Sequence, residues 1–402
     1  MKRVSLLAVI LTLGLLPSTT HSQGQTHDIF FISMTINSCN EFGTCDWKLK
    51  CTVSDQQSQE LIINKPGDTG ASLDLGQSIT STRDFPLTVS CAVHEHDGGF
   101  GAQWESVGNP SIKVYGVGEY TLNAANDEGD VTIHFTIDSV GVSQQGLTAA
   151  ARSPAKYYSG VFRSGYDGHV LWLGAAWPDF VAKWTEFSDQ GLRLIDLETY
   201  EEGGKRLYAG VFRAGSDGHF LWNGVEWPAF VTKWEQLSSK GLRLIDLETY
   251  REGGKRLYAG VFRAGSDGHF LWNGVEWPAF VQKWKELSKQ NLRLVDIETY
   301  VEGTKRLYAG VFRTGTDKHY LWAGVEWPNF EAKWRELSDK GLRLIDLETY
   351  EEGGKRLYIG VFREGSEGYY LWVNMPARDF IEKWKEMSRK GMRLVDLEIF
   401  PE

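Results

Sequence analysis

From Tyr158 onward, apolar and polar positions follow one 50-residue pattern written five times without insertion, starting at Tyr158, Tyr208, Tyr258, Tyr308 and Tyr358. In the second copy, Leu207 to Arg213 and His219 to Trp222 read as two strands joined around Gly215-Ser216-Asp217-Gly218, a hairpin signal. Trp227-Pro228 then sets proline at a helix start, and Phe230, Trp234 and Leu237 recur at intervals of four and three on one helix face. Gly241 is the stop. In the third copy the stop is Asn291, the common alternative to glycine in a left-handed cap. A third strand, Leu242 to Tyr250, runs through Glu252-Gly253-Gly254-Lys255 into the next copy. Each unit thus reads strand, strand, helix, strand. Pairing of the last strand, Met392 to Phe400, beside Tyr158 to Arg163 would complete five three-stranded blades and leave no open edge. This predicts a closed, propeller-like ring. An open solenoid is the alternative, because Met375-Pro376-Ala377-Arg378 departs from the Val-Glu-Trp-Pro of the neighbouring units.

Upstream the period changes to two. Short alternating runs, Phe30 to Ile36, Asp46 to Val53, Leu87 to Val93, Ser111 to Val117 and Val131 to Ile137, are separated by Pro66-Gly67-Asp68, Asp97-Gly98-Gly99 and Asn126-Asp127-Glu128-Gly129. They predict an antiparallel β-sandwich over residues 27–142, followed by a linker at 143–156 and the repeats at 157–402. The expected fold class is therefore mainly β with helices, a β-sandwich in front of a five-unit ββαβ array.

Met1-Lys2-Arg3, the apolar run Leu6 to Leu16 and the small and polar residues to Ser22 have the layout of a cleavable secretory leader, residues 1–22. That run is too short to span a bilayer, and no other segment approaches the ~20 apolar residues required. A secreted, extracellular protein is expected. Residues 23–150 hold 16 acidic against 5 basic side chains, whereas residues 151–402 hold 37 against 36. Nucleic acid is thereby excluded as an expected partner of either part, since phosphate binding needs a basic surface. The four cysteines, Cys39, Cys45, Cys51 and Cys91, suggest two disulfides of open connectivity, with zinc as the less favoured use. No cofactor is predicted. His94 and His96, on one side of a strand, with Asp97 are weak metal candidates, and acidic loops including Asp97 and Asn126-Asp127-Asp130 are weak Ca²⁺ candidates.

Gly-Leu-Arg-Leu-Ile-Asp-Leu-Glu-Thr-Tyr, Tyr-Ala-Gly-Val-Phe-Arg and the helical Trp, Phe and Lys-Trp resemble the bacterial tandem repeat domain over about 245 residues. That family also stands in front of the serine β-lactamase-like domain of fungal polyglycine hydrolases. The resemblance implies an accessory or substrate-holding module, because the nucleophile belongs to that other domain and nothing of its size remains here. Ser153-Pro154-Ala155-Lys156 is read as a chance Ser-x-x-Lys, since Ser-Asp-Asn and Lys-Thr-Gly partners are absent from the sequence.

The carboxylates Asp196/Glu198, Asp246/Glu248, Asp296/Glu298, Asp346/Glu348 and Asp396/Glu398 fall on one strand face. They are expected to pair with Arg163, Arg193, Arg206 and their equivalents rather than to line a catalytic axis. Trp172 and Trp177 and their copies are expected mainly to cement the units. Turn residues Asp217 and His219, with Arg213 and Trp227, combine a hydrogen-bonding rim and an aromatic face, and Asp167, His169, Asp267, His269, Asp317 and His319 repeat the pattern. The expected function is multivalent binding of an extracellular glycan or a matrix or cell-wall protein. The alternatives are a secreted hydrolase of such material, or an adhesive, structural component without a discrete site.

Overall fold

The computed structural model describes residues 25–39, 45–53, 57–67, 69–82, 85–96, 104–114, 116–126, 129–142 and 156–401. The expected leader, the Asp97-Gly98-Gly99 turn and most of the expected linker lie outside these residues. The molecule is mainly β with five helices among the described residues. No helix among the described residues is long and apolar enough to cross a membrane.

The first nine strands are β1 Gln25–Cys39, β2 Cys45–Val53, β3 Gln57–Gly67, β4 Ser72–Ser81, β5 Leu87–His96, β6 Trp104–Gly108, β7 Ser111–Val114, β8 Gly118–Ala125 and β9 Gly129–Val142. β4, β1, β9 and β8 form one sheet, while β3, β2 and β5 with β6 and β7 form another. Their inward positions, among them Ile29, Phe31, Trp47, Leu49, Val89, Val93, Ile133 and Phe135, share one core. The period-two alternation causes this arrangement, since every second residue of β2 and β5 is buried. Disulfides Cys39–Cys45 and Cys51–Cys91 tie it together, the second directly across the β2–β5 pair. Pro66-Gly67, expected in a turn, ends the long strand β3 instead. The expected Asn126 turn does close β8 onto β9, with the Gly129 N–H donating to Asn126 Oδ1.

Repeat strands follow in threes. The first unit contributes β10 Lys156–Ser164, β11 His169–Ala175 and β12 Leu192–Glu202, and the second β13 Lys205–Ala214, β14 His219–Val225 and β15 Leu242–Glu252. The third gives β16 Lys255–Ala264, β17 His269–Val275 and β18 Leu292–Glu302; the fourth β19 Lys305–Thr314, β20 His319–Val325 and β21 Leu342–Glu352. The fifth gives β22 Lys355–Glu364, β23 Tyr369–Pro376 and β24 Met392–Pro401. Between the second and third strands of each unit lies a 13-residue helix: α1 Trp177–Asp189, α2 Trp227–Ser239, α3 Trp277–Lys289, α4 Trp327–Asp339 and α5 Ala377–Arg389. Four begin Trp-Pro, and four are followed by a positive-φ glycine. Asn291 takes the same conformation, φ 59°, after α3.

The expected hairpin around Gly215–Gly218 is corrected. β13 pairs with β11 and β12, and β14 pairs with β16, so that turn crosses from one sheet to the next. The true hairpin lies at the Gly253-Gly254 turn, where both residues have positive φ and Glu252 pairs with Lys255. Each repeat sheet therefore takes its middle strand from the following unit, as in β14-β16-β15, β17-β19-β18 and β20-β22-β21. The same order, β23-β10-β24, joins the last unit to the first, with Val161 opposite Asp396. One repeat sheet differs: β11 continues in parallel into β9, so that β12-β13-β11-β9-β1-β4 forms a single sheet across both parts of the chain.

Candidate functional site

Five strands, β12, β15, β18, β21 and β24, carry the paired carboxylates, and the structure brings these together. The register slips just before the Asp in all five units, between Leu194 and Asp196 in the first and between Leu394 and Asp396 in the last, which re-aims the side chains. Each such strand is the edge of its sheet and has backbone N–H groups to satisfy. The next unit's carboxylate does so: Leu197 N–H donates to Asp246 Oδ2 at 3.2 Å, Leu347 N–H to Asp396 Oδ2 at 3.0 Å, and Leu397 N–H to Asp196 Oδ2 at 3.1 Å. The glutamates repeat the device, with Thr299 N–H on Glu348, Thr349 N–H on Glu398 and Ile399 N–H on Glu198. The expected pairing of these groups with arginine is thereby corrected. All but Glu298 are less than a tenth exposed. Burial, then neighbouring carboxylates, hold Asp196, Asp246, Asp296 and Asp346 well above the usual carboxylate range. Glu398, helped by Thr349, is pushed up only to about 7.

The arginines go elsewhere. Arg193 donates from Nε to the Asp217 carbonyl at 2.7 Å and from Nη1 to the Ser188 carbonyl at 2.9 Å. Its equivalents, through Arg393 on the Asp167 carbonyl, do the same. A second set forms charge-assisted forks between consecutive units. Arg213 holds Asp167, Arg263 holds Asp217, Arg313 holds Asp267 and Arg363 holds Asp317. Glu367 of the last unit pairs with Arg163 of the first. Arg213 and Asp217, expected in one site, are thus divided between two unit boundaries.

The histidines and helix tryptophans also sit at boundaries. His219 packs edge-on to Trp184 at 4.9 Å, as His269 does on Trp234 and His319 on Trp284. Trp227 packs on Phe230 and Tyr258, at 5.8 and 4.9 Å. At the junction with the N-terminal sheets, His169 is fully buried. Its Nε2 lies 3.1 Å from Ser388 Oγ and its Nδ1 3.3 Å from Asp138. This is a Ser–His–Asp succession that sequence reading missed, because Asp138 reaches it only through the pairing of β9 with β11. Ser388 is 3% exposed and the imidazole is held down to about 4 by burial, so the group is a locked junction contact rather than an accessible nucleophile. Arg389 on Asp28 adds a second tie across the same junction.

One feature repeats on the surface. In β14, Phe220 and Trp222 lie side by side, 6.1 Å apart, and Lys233 of α2 caps the Trp222 ring at 4.6 Å. Phe270, Trp272 and Lys283 repeat it, as do Tyr320, Trp322 and Lys333. These rings are half-buried, in contrast to Trp172 on the covered strand β11. The tryptophan recurs identically in every unit, so the sequence does not separate the covered copy from the open ones. Of the metal candidates, Asp97 lies outside the described residues, while His94 and His96 share a half-buried face and His96 packs on Trp104. Asp130 accepts from Asn37. Among the described residues no group of three His, Cys, Asp or Glu gathers to hold a metal.

A family model described as a polyglycine hydrolase-like structural repeat matches four times, at residues 171–214, 222–264, 272–314 and 321–365. No curated protein matches the chain. Among solved structures, the first C2 domain of plant Extended Synaptotagmin 1 is 11% identical, covering 28% of this chain and 92% of that one, with a TM-score of 0.22. Human GIVD cytosolic phospholipase A2 is 9% identical, covering 80% and 37%, with a TM-score of 0.23. A fragment of Extended-Synaptotagmin 2 holding its first two C2 domains is 6% identical, covering 66% and 99%, with a TM-score of 0.25. At these values none of the three bears on fold or function.

Proposed function

We propose that the array, whose units match a polyglycine hydrolase-like structural repeat four times between residues 171 and 365, is a scaffold that binds an extracellular polymer multivalently. The observation that carries this reading is the half-exposed pair of aromatic rings under a lysine ammonium, recurring at 50-residue intervals on β14, β17 and β20. Apolar faces with a polar rim suit shallow contact with a sugar ring or an extended peptide. Repetition converts weak contacts into avidity. We further propose that the five units close into a ring. The β10–β24 pairing, the Glu367–Arg163 pair and the Leu397-to-Asp196 bond support closure, since each repeats at the last-to-first boundary what occurs between consecutive units. Secretion is part of the proposal, supported by the two disulfides.

The test is retention of the secreted full-length chain on arrays of glycans and matrix or cell-wall proteins. Retention should fall steeply when Lys233→Glu, Lys283→Glu and Lys333→Glu are combined and only slightly for each alone, with thermal unfolding nearly unchanged. Immobilised polymer should hold the chain ~10²-fold more tightly than a monomeric fragment of the same polymer. Equal affinity for fragment and polymer would defeat the multivalent reading.

A further inference from the structure

The outer strand of every repeat sheet is an edge, and in one unit that edge is occupied. Val170, Leu171, Trp172 and Leu173 of β11 pair in parallel with Ser139, Val140, Gly141 and Val142 of β9. β11 is consequently buried along its whole length, whereas β14, β17, β20 and β23 are partly exposed. Among the described residues no strand pairs with the outer side of those four.

Edge strands are commonly protected by bulges and lysines, and this would make the open edges inert. Both devices, however, are present at the occupied strand, the bulge within it and the lysine reaching it from α1. Gly174 of β11 has φ 73°, matching Gly224, Gly274 and Gly324 at 76° to 79°, and Asn374 takes 56°. Lys183 caps Trp172 at 5.1 Å, the same distance at which Lys283 caps Trp272 and Lys333 caps Trp322. Since these features do not keep β9 away from β11, they do not close the equivalent edges.

The occupied edge also shows what a guest strand must carry. Gly141 lies opposite Trp172, and a Cβ there would overlap the indole ring. Every unit has tryptophan at this register: Trp222, Trp272, Trp322 and Trp372. The aromatic neighbour Phe220, Phe270, Tyr320 or Tyr370 stands where β11 has the smaller Val170, and adds a second ring along the path.

We infer that β14, β17, β20 and β23 are docking edges for an extended segment of a partner polypeptide, added in parallel as β9 is added to β11, with glycine opposite the tryptophan. This rests on the multivalent-binding reading and names its ligand class as peptide. Main-chain hydrogen bonds supply attachment, and the tryptophan selects against any side chain at one position.

The test uses the full chain and fluorescent peptides copying residues 134–142. The native peptide should bind saturably with more than one site per chain. Replacement of glycine, G141L, should weaken it by ~10-fold or more. N-methylation at alternate residues, which removes main-chain donors, should abolish binding. Equal binding of the N-methylated or the G141L peptide overturns the inference. So does concentration-dependent self-association that the peptide cannot displace, because the occupant is then a second copy. Retention on glycans with no peptide binding removes this inference while the multivalent reading stands, and peptide binding with no retained polymer does the reverse.

Discussion

Asp217 shows how a single turn residue is used across a unit boundary. Both of its carboxylate oxygens receive the Arg263 guanidinium, which stands 46 residues later. That hydrogen bonding, ahead of the opposing effect of burial, lowers the carboxyl to about 2. The stabilisation is therefore present above the ordinary value of 3.8 and is lost only as pH falls through about 2. Asp217→Asn should cost about 1 kcal/mol, the discount reflecting a partly exposed pair, with the same deficit at pH 5 and pH 7. A double-mutant cycle with Arg263→Gln checks it, and additive costs would show that the pair contributes nothing. The sequence places Asp, His, Arg and Trp in one repeating cluster, and their local spacing groups them into one site. What spacing cannot carry is partner choice: Arg213 turns back to Asp167 while Asp217 is held by the next unit.

At the scale of elements, helices were legible because their signals are local. Phe230 and Leu237 are the buried residues of α2, and the caps at Gly241 and Asn291 have positive φ. Strands of the repeat were legible as strands, but their partners were not, because the Gly215–Gly218 turn looks the same whether its flanking strands pair or separate. The acceptor role of the carboxylates of β12, β15, β18, β21 and β24 is hidden for the same reason, since it depends on the edge N–H groups of a neighbouring unit's strand. Their burial gives an unusual pH trend. Glu398 titrates at about 7 in the folded chain against 4.5 ordinarily, so between these values the folded state keeps a proton the unfolded chain has lost. Stability from this group is complete below 4.5 and disappears as pH rises through 7, and the other carboxylates are raised in the same direction. Thermal unfolding of the array should thus move upward on acidification from about pH 7.5 to about 5.5. His169 works against this at the junction, because a buried imidazole held down to about 4 loses stability as pH falls below 6.5. His169→Gln should enlarge the upward shift; a downward shift in both proteins would contradict the assignment of the carboxylates as proton-holding acceptors.

For the whole molecule, the decisive contacts are those that join the last unit to the first. β24 covers one side of β10 over Lys156 to Ser164, supplies Asp396 and Glu398 to the N–H groups of Leu347 and Thr349, and directs Arg393 to the Asp167 carbonyl. It also donates Leu397 N–H to Asp196 and Ile399 N–H to Glu198. Deleting residues 392–402 would therefore open an edge on β10, orphan donors in the fourth unit and leave two buried carboxylates of the first unit without these donors. Unsatisfied buried groups each cost roughly 1–3 kcal/mol, and here they arise at both ends of the array at once. In a linear stack, stability is nearly a sum over repeats, and losing the last strand removes only the last unit's share. In a ring, the loss reaches every unit through the same carboxylate relay. Differential scanning calorimetry of the truncated chain should then show the transition of all five units moving together to lower temperature. A partial loss of unfolding enthalpy, with the remaining units melting where they did before, would establish the stack and remove the ring.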